Sequence, residues 1–178
     1  MARGDEEFAE FADACSARLL HAAYLLTGNR HTAEDAAQTA LVRTYAAWSR
    51  VRRADAFAYA RQVLVNHVTD RWRLRLREYA TGDVPERPGA ADVAEEVTLR
   101  HWLVGALGSL TARERAVIVM RYFFDLPEVS VAHELHISVG TVKSTSSRAL
   151  AKLRVQAEPP SGSPAGTDPI TTIGQEQP

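Results

Sequence analysis

The sequence has one cysteine, two lysines and no long uncharged hydrophobic run. A lone cysteine, Cys15, excludes an intrachain disulfide framework and a thiolate metal cluster. Membrane-spanning helices need about 18 or more consecutive apolar residues, and no such stretch occurs. The acidic start at residues 1–7 also lacks an apolar signal run, so we expect no signal peptide and predict a location in the reducing cytoplasm.

The chain has little net charge, −1 at pH 7, but its charges are unevenly distributed. Between Arg50 and Arg77 there are eight arginines and two acids, whereas acidic residues gather at 5–13 and 83–96. A local excess of one sign in a nearly neutral chain is typical of a surface that binds nucleic acid.

Apolar residues recur every three or four positions in the N-terminal half, which predicts three helices. The first carries an apolar stripe from Phe8 to Leu26 and is predicted to end at Gly28. Thr32 is predicted to cap the second helix, and the third runs from a cap at Asp55 to about Arg77.

The composition changes at residues 79–95, where two prolines and two glycines stand among acids and predict a linker. A second helical module begins near Glu96, and Thr111 and Glu114 have the spacing of a capping box. The tail is poor in large apolar residues and predicted to be disordered. We therefore predict an all-α fold of two small helical domains, 1–78 and 96–156, joined by a flexible acidic linker, 79–95, and followed by a tail, 157–178.

Residues 126–155 have the pattern of a helix-turn-helix. Pro127 suits the first position of one helix, a turn follows at His136, and Ser138 can cap the next helix. From Gly140 to Val155 this second helix has four cations and no acid, which suits a major groove. Its outward side chains are predicted to be Thr141, Lys143, Ser144, Ser147, Arg148 and Lys152. A generic helical hairpin with a solvated basic face remains the alternative on this segment alone.

Five segments resemble bacterial RNA polymerase sigma factors of the extracytoplasmic-function type, within the sigma-70 superfamily, and especially the branch called SigE-like. The resemblance covers about residues 8–155 and depends on the order and spacing of the segments. In the first half these are 24–30 and 33–41, similar to regions 2.1 and 2.2, and 63–72, similar to region 2.4. In the second half they are 110–123, similar to the helix before region 4.2, and 138–154, similar to its recognition helix.

The resemblance implies a sigma factor that binds core polymerase and directs promoter recognition, melting and initiation. The second helix would dock on the β′ clamp, with region 4 near the β flap. The core-binding residues it implies are Asp35, Gln38, Thr39 and Arg43. The family often has an acid at the position of Thr39, so we expect less charge complementarity at this position. An anti-sigma factor is a further partner that the resemblance allows.

The third helix and the loop before it would meet the −10 element of the promoter. Opening a duplex needs cations for phosphates and surfaces for unstacked bases, and Asn66 has amide groups able to read a base edge. Tyr59 and Trp72 can stack on bases, although aromatic residues at helical spacing are more often core. The −10 residues are Arg52, Arg53, Tyr59, Arg61, Asn66, Arg71, Arg73 and Arg75.

The outward residues of the last helix match the family's −35 contacts. Arg148 can bond bidentately to guanine or hold a phosphate, and the sequence leaves both open. Relatives often have a cation at Thr145 and glycine at His136, so we expect a weaker phosphate contact and, if φ is positive there, modest strain at the histidine. The acidic residues of the linker can imitate nucleic acid, although solubility explains them nearly as well.

The sequence also suggests two other functions. His133 and His136 resemble a metalloprotease signature, but their spacing is one residue too short, so we expect no catalysis, metal or cofactor. A LuxR-like regulator that binds operator DNA without polymerase is the nearer alternative. The arginine-rich third helix and the polar face around Gln38 favour the sigma factor.

Overall fold

The computed structural model describes residues 3–79 and 103–157, and within these ranges all regular structure is helical, as predicted. The elements are α1 (Arg3–Thr27), α2 (Arg30–Ala46), a 3-10 turn (Arg53–Asp55), α3 (Ala56–Tyr79), α4 (described over 103–108), α5 (Ala112–Ile118), a π-helical turn (Val119–Phe123), α6 (Glu128–Leu135) and α7 (Val139–Ala157). The predicted linker beyond Tyr79, the start of the second module near Glu96 and the tail beyond Ala157 lie outside the described residues.

The predicted apolar stripe of α1 is buried from Cys15 to Leu26, with Leu19 and Leu26 fully inaccessible to solvent, whereas Phe8 and Phe11 are half-buried. The helix ends where predicted, because Gly28 adopts φ 68°, a left-handed conformation that glycine takes without steric cost. Small side chains then let α1, α2 and α3 approach closely. The alanines at 22, 23, 33, 36, 37, 40, 56 and 60 are all buried.

The prediction that Thr32 caps α2 is wrong. Asn29 has an extended backbone and its side chain accepts a hydrogen bond from the Thr32 backbone N–H at 3.0 Å. Asparagine is a strong N-cap residue, so the helix begins at Arg30 and Thr32 falls within its first turn. Asp55 lies in the 3-10 turn directly before α3.

The second half folds around α5 and α7. Thr111 and Glu114 form the predicted capping box, in which the Thr111 hydroxyl accepts from the Glu114 backbone and the Glu114 carboxylate accepts from the Thr111 N–H. The chain then widens into the π-helical turn, and Phe124 directly after it is buried.

Helices α6 and α7 form the predicted helix-turn-helix. Pro127 was predicted at the first position of α6. It is the N-cap residue instead, so the helix begins one residue later, at Glu128. His136 ends α6 with φ 54° and ψ 48°, and the Ser138 hydroxyl accepts from the Thr141 N–H at 3.1 Å to start α7, as predicted. The two halves pack together, since α3 contacts α5 and α1 contacts the π-helical turn.

Candidate nucleic-acid interface

The outer face of α7 presents polar and cationic side chains to solvent. Val142 and Ala149 are fully buried beneath it. The predicted residues lie on the opposite side: Lys143, Ser144, Ser147, Arg148 and Lys152 are exposed, and Thr141 is half-buried. The helix-turn-helix therefore holds a positive, hydrogen-bonding surface away from its own core.

Five of these six side chains also make contacts within the domain. Lys143 lies 3.8 Å from the Glu128 carboxylate of α6. The Lys152 ammonium donates to Glu114 of α5. The Thr141 hydroxyl shares a 2.8 Å hydrogen bond with Ser138 at the helix start. These contacts fix the helix and leave Arg148, whose Nε donates to the Ser144 carbonyl at 3.3 Å, at the centre of the exposed face.

Thr145 is 2% exposed and points into the domain core. A threonine buried at this place cannot itself reach a phosphate. The weaker phosphate contact expected from the sequence stays a prediction.

Helix α3 divides the predicted −10 residues between two faces. Tyr59 and Asn66 are half-buried and seven residues apart, about two helical turns, so they share one face. Arg61 is on the other face and is 8% exposed. Arg71 is half-buried near His67, and the side chains of Arg73 and Arg75 lie outside the described residues.

The two predicted −10 residues before α3, Arg52 and Arg53, are both exposed. Arg53 reaches back to α1, where its Nη2 donates to Glu10 at 3.1 Å, whereas Arg52 lies 3.9 Å from Asp55. Both ion pairs are exposed to solvent and therefore weak, so a phosphate can replace the carboxylates at little cost.

The outer face of α2 carries the predicted core-binding residues. Asp35, Gln38 and Arg43 are exposed and Thr39 is half-buried. Val42, which was not predicted as a site residue, is 60% exposed on the same face. The sequence did indicate this residue, because Val42 is a branched apolar side chain among the polar positions of a predicted helix.

His67 of α3 lies near this face, close to Arg43 of α2. Burial lowers the pKa of its imidazole, and the neighbouring charges of Arg43 and Arg71 lower it further. A neutral imidazole at this position avoids adding a third positive charge between the two arginines.

The structure gives Glu134, Arg115 and Arg18 roles that the sequence analysis missed. All three lie where the two halves meet: Glu134 pairs with Arg61, Arg115 binds a carbonyl of α1, and Arg18 covers Phe57. Contacts between residues about 40 to 90 positions apart leave no local pattern in a sequence. Among the described residues no helix is long and apolar enough to cross a bilayer.

The fold and these surfaces define a class of protein: a two-domain helical DNA-binding protein whose C-terminal domain is a helix-turn-helix. Comparisons with known domain families match Sigma-70 region 2 to residues 11–78 and Sigma-70 region 4 to residues 106–155. The chain belongs to the sigma-70 family of RNA polymerase sigma factors, and its type is extracytoplasmic-function. The LuxR-like alternative is not favoured, because the first half matches region 2.

The chain is similar to the RNA polymerase sigma-E factor of Streptomyces coelicolor, with 40% identity over 152 residues, 83% of this chain and 84% of the relative. It is also similar to the ECF RNA polymerase sigma factor SigW of Bacillus subtilis, at 27% identity over 86% of this chain and 91% of the relative. Among solved structures, the sigma factor RpoE from Bartonella quintana, crystallised with the anti-sigma factor NepR, matches with a TM-score of 0.66 and 22% identity. That match covers 85% of this chain and 97% of RpoE, and it supports the fold.

Proposed function

We propose that this sigma factor docks on the core polymerase through the outer face of α2, reads the −10 element with α3 and its preceding loop, and reads the −35 element with α7. The main support for the proposal is the exposed cationic face of α7 in a helix-turn-helix. This face is separate from α3 and the arginine-rich loop before it, which belong to the other domain. Two surfaces of this kind suit two promoter elements.

The face of α2 suits a protein partner better than DNA. Exposed Val42 lies among Gln38, Thr39 and Asp35, so the face combines an apolar centre with a polar rim. This composition is typical of a protein interface. By family membership the partner is the polymerase β′ clamp, and region 4 would lie near the β flap.

The roles within α7 follow from exposure. Arg148 has five donors in a fixed plane and suits either a guanine edge or a phosphate. Ser144 and Ser147 flank it with hydroxyls able to bond to bases or phosphates. We propose a transcription initiation factor without catalytic, metal or cofactor chemistry of its own, acting in the cytoplasm. An anti-sigma factor is a further proposed partner.

In vitro transcription with purified core polymerase over a genomic promoter library tests this function. We expect the chain and core enzyme together to initiate at specific promoters, and neither to do so alone. Failure to co-purify with core polymerase, or tight binding to duplex operators without polymerase, would contradict the proposal.

Val42→Ser is a sharper test of the α2 face. Leu20→Ser on α1 is the control, because both side chains are already exposed in the wild-type protein. We expect Val42→Ser to weaken core binding about tenfold without lowering the Tm, and Leu20→Ser to leave binding unchanged. Equal binding by both variants would place the docking surface elsewhere.

A further inference from the structure

Four aromatic side chains meet where α1 begins and α2 ends. The Phe8 ring centroid lies 4.8 Å from that of Tyr45 and 5.1 Å from that of Trp48, and Phe11 also lies 5.1 Å from Trp48. Phe8, Phe11 and Trp48 are half-buried and hold the start of α1 against the end of α2. Tyr45 is 49% exposed, so helix packing accounts for three of the rings and leaves the outer side of Tyr45 open to a partner.

An open cleft of about 500 Å³ lies beside these rings. The described residues that line it are Gly4, Asp5, Glu7, Tyr45, Trp48 and Ser49, of which two are acidic and none is basic. The Tyr45 hydroxyl donates to Oδ1 of Asp5 at 2.8 Å, which holds the ring and the carboxylate side by side. A carboxylate has about four acceptor positions, so Asp5 can accept from a ligand as well.

This chemistry suits an arginine side chain. The face of an aromatic ring carries partial negative charge, and a planar guanidinium can stack on it while donating to a carboxylate. Arg53 already shows that guanidinium groups pair with this part of α1, since it lies 3.9 Å from Glu7 and 3.1 Å from Glu10. Nucleic acid is a poorer occupant, because the carboxylates of the cleft repel phosphates.

The cleft is continuous with the outer face of α2. Positions 35, 38, 42 and 45 are spaced by three, four and three residues, so they lie on one side of the helix. All four side chains are exposed. The face that we assign to core polymerase therefore runs past Val42 to Tyr45, where it reaches the cleft. Tyrosine and arginine are also the residues that often contribute most to the affinity of protein interfaces.

We propose that the polymerase-binding face of α2 extends into this cleft, and that the cleft takes an arginine side chain from the polymerase surface that α2 contacts. The guanidinium stacks on the Tyr45 ring and donates to the Asp5 carboxylate. The identity of the partner rests on the proposed function. The first turn of α1 thereby belongs to the docking surface and adds a charged contact to a face whose centre, Val42, is apolar.

Asp5→Asn tests the charge of the cleft, with Glu6→Gln as the matched control. Both changes remove one carboxylate from the first turn of α1, but Glu6 points to solvent outside the cleft. Asparagine keeps an oxygen that can accept from Tyr45. We expect Asp5→Asn to weaken binding to core polymerase about tenfold at about 0.1 M salt and much less at about 0.5 M, because salt screens the ion pair. Glu6→Gln should bind as wild type does.

Gly4→Leu fills the cleft without removing a side chain from it. A Cβ atom at Gly4 would lie 3.9 Å from Cδ1 of Trp48, an ordinary contact, so the fold can accept a side chain there. Ala9→Leu is the control, because it adds an apolar side chain at an exposed position of the same helix. We expect Gly4→Leu to weaken core binding at least about fivefold without lowering the Tm, and Ala9→Leu to leave binding unchanged.

The outcomes separate the cleft from the proposed function. Core binding by Asp5→Asn and Gly4→Leu equal to that of their controls, with Val42→Ser still impaired, would overturn the cleft and leave the proposed function standing. Failure of the wild-type chain to bind core polymerase would overturn both. If the cleft variants bind core normally but their holoenzymes lose affinity for −10 DNA, the occupant is a base and the inference is wrong.

Discussion

Lys152 of α7 and Glu114 of α5 form a bifurcated contact in which the ammonium lies 2.9 Å and 2.8 Å from the two carboxylate oxygens. Glu114 is the partner residue of the Thr111 capping box, and its side chain is 9% exposed. One carboxylate therefore caps α5 and also fixes the recognition helix against it. A residue predicted to contact DNA thus has a structural contact as well.

Replacing Lys152 should destabilise the second domain. In Lys152→Met the Glu114 carboxylate stays buried without its cation, and we expect a loss of about 1–2 kcal/mol, since the lysine itself is 46% exposed and the pair is partly screened. Lys143→Met is the control, because its pair with Glu128 is longer and more exposed, and it should lose less than about 0.5 kcal/mol. Chemical denaturation measures both, and equal losses would contradict a structural role for Lys152.

Stability should fall in acid because of Glu114. Burial raises the pKa of this carboxyl, but hydrogen bonds from Lys152 and Thr111 outweigh burial, so the pKa lies below its usual value of 4.5. The stability it contributes is present above the unfolded pKa and is lost as pH falls through the lower, folded pKa. Urea unfolding across pH 6 to 3, at about one-unit steps, should show a shallower fall for Glu114→Gln than for wild type. If the stabilities of the two proteins fall in parallel with pH, Glu114 is not the cause of the loss in acid.

His136→Gly should stabilise the helix-turn-helix. His136 has φ 54°, a conformation that costs a residue with a side chain about 1 kcal/mol, and glycine removes that cost. We expect a gain of about 0.5–1 kcal/mol, reduced by the greater freedom of glycine in the unfolded chain. His136→Val should instead lose stability, because a branched side chain is strained there. Thermal unfolding of both variants decides the sign, and a less stable glycine variant would mean that the histidine side chain makes a stabilising contact.

Arg148→Ala should abolish promoter selectivity and leave core binding intact. Loss of a bidentate base contact costs about 1–3 kcal/mol of discrimination, or roughly tenfold to a hundredfold between promoters. Arg154→Ala on the same helix is the control for loss of one positive charge, since Arg154 is also exposed but was not assigned to DNA. Holoenzyme binding to matched and mutated −35 sequences measures selectivity, and core pull-down measures docking. Equal loss of core binding and selectivity in Arg148→Ala would make the residue structural.

The sequence alone determined the helices and the helix-turn-helix, because periodicity, caps and turns are local and repeat over short distances. It also indicated the family, through the resemblance of its motif segments. The stripe ending at Gly28, the capping box at Thr111 and the outward face of α7 were all predicted correctly. The error at Thr32 was also local: Asn29, three residues earlier, has the extended backbone that a cap needs and caps the helix instead.

Tertiary structure alone decided which charges remain available to a ligand. Arg52 and Arg61 are both arginines of one basic segment, yet the first is exposed and the second is buried against Glu134, 73 positions further along the chain. Charge counting cannot separate them, since the partner of a buried cation is set by how the domains pack rather than by neighbouring residues. For the same reason, only the packing of α5 against α7 and α1 shows that Lys152 pairs with Glu114 and that Arg115 contacts Leu26.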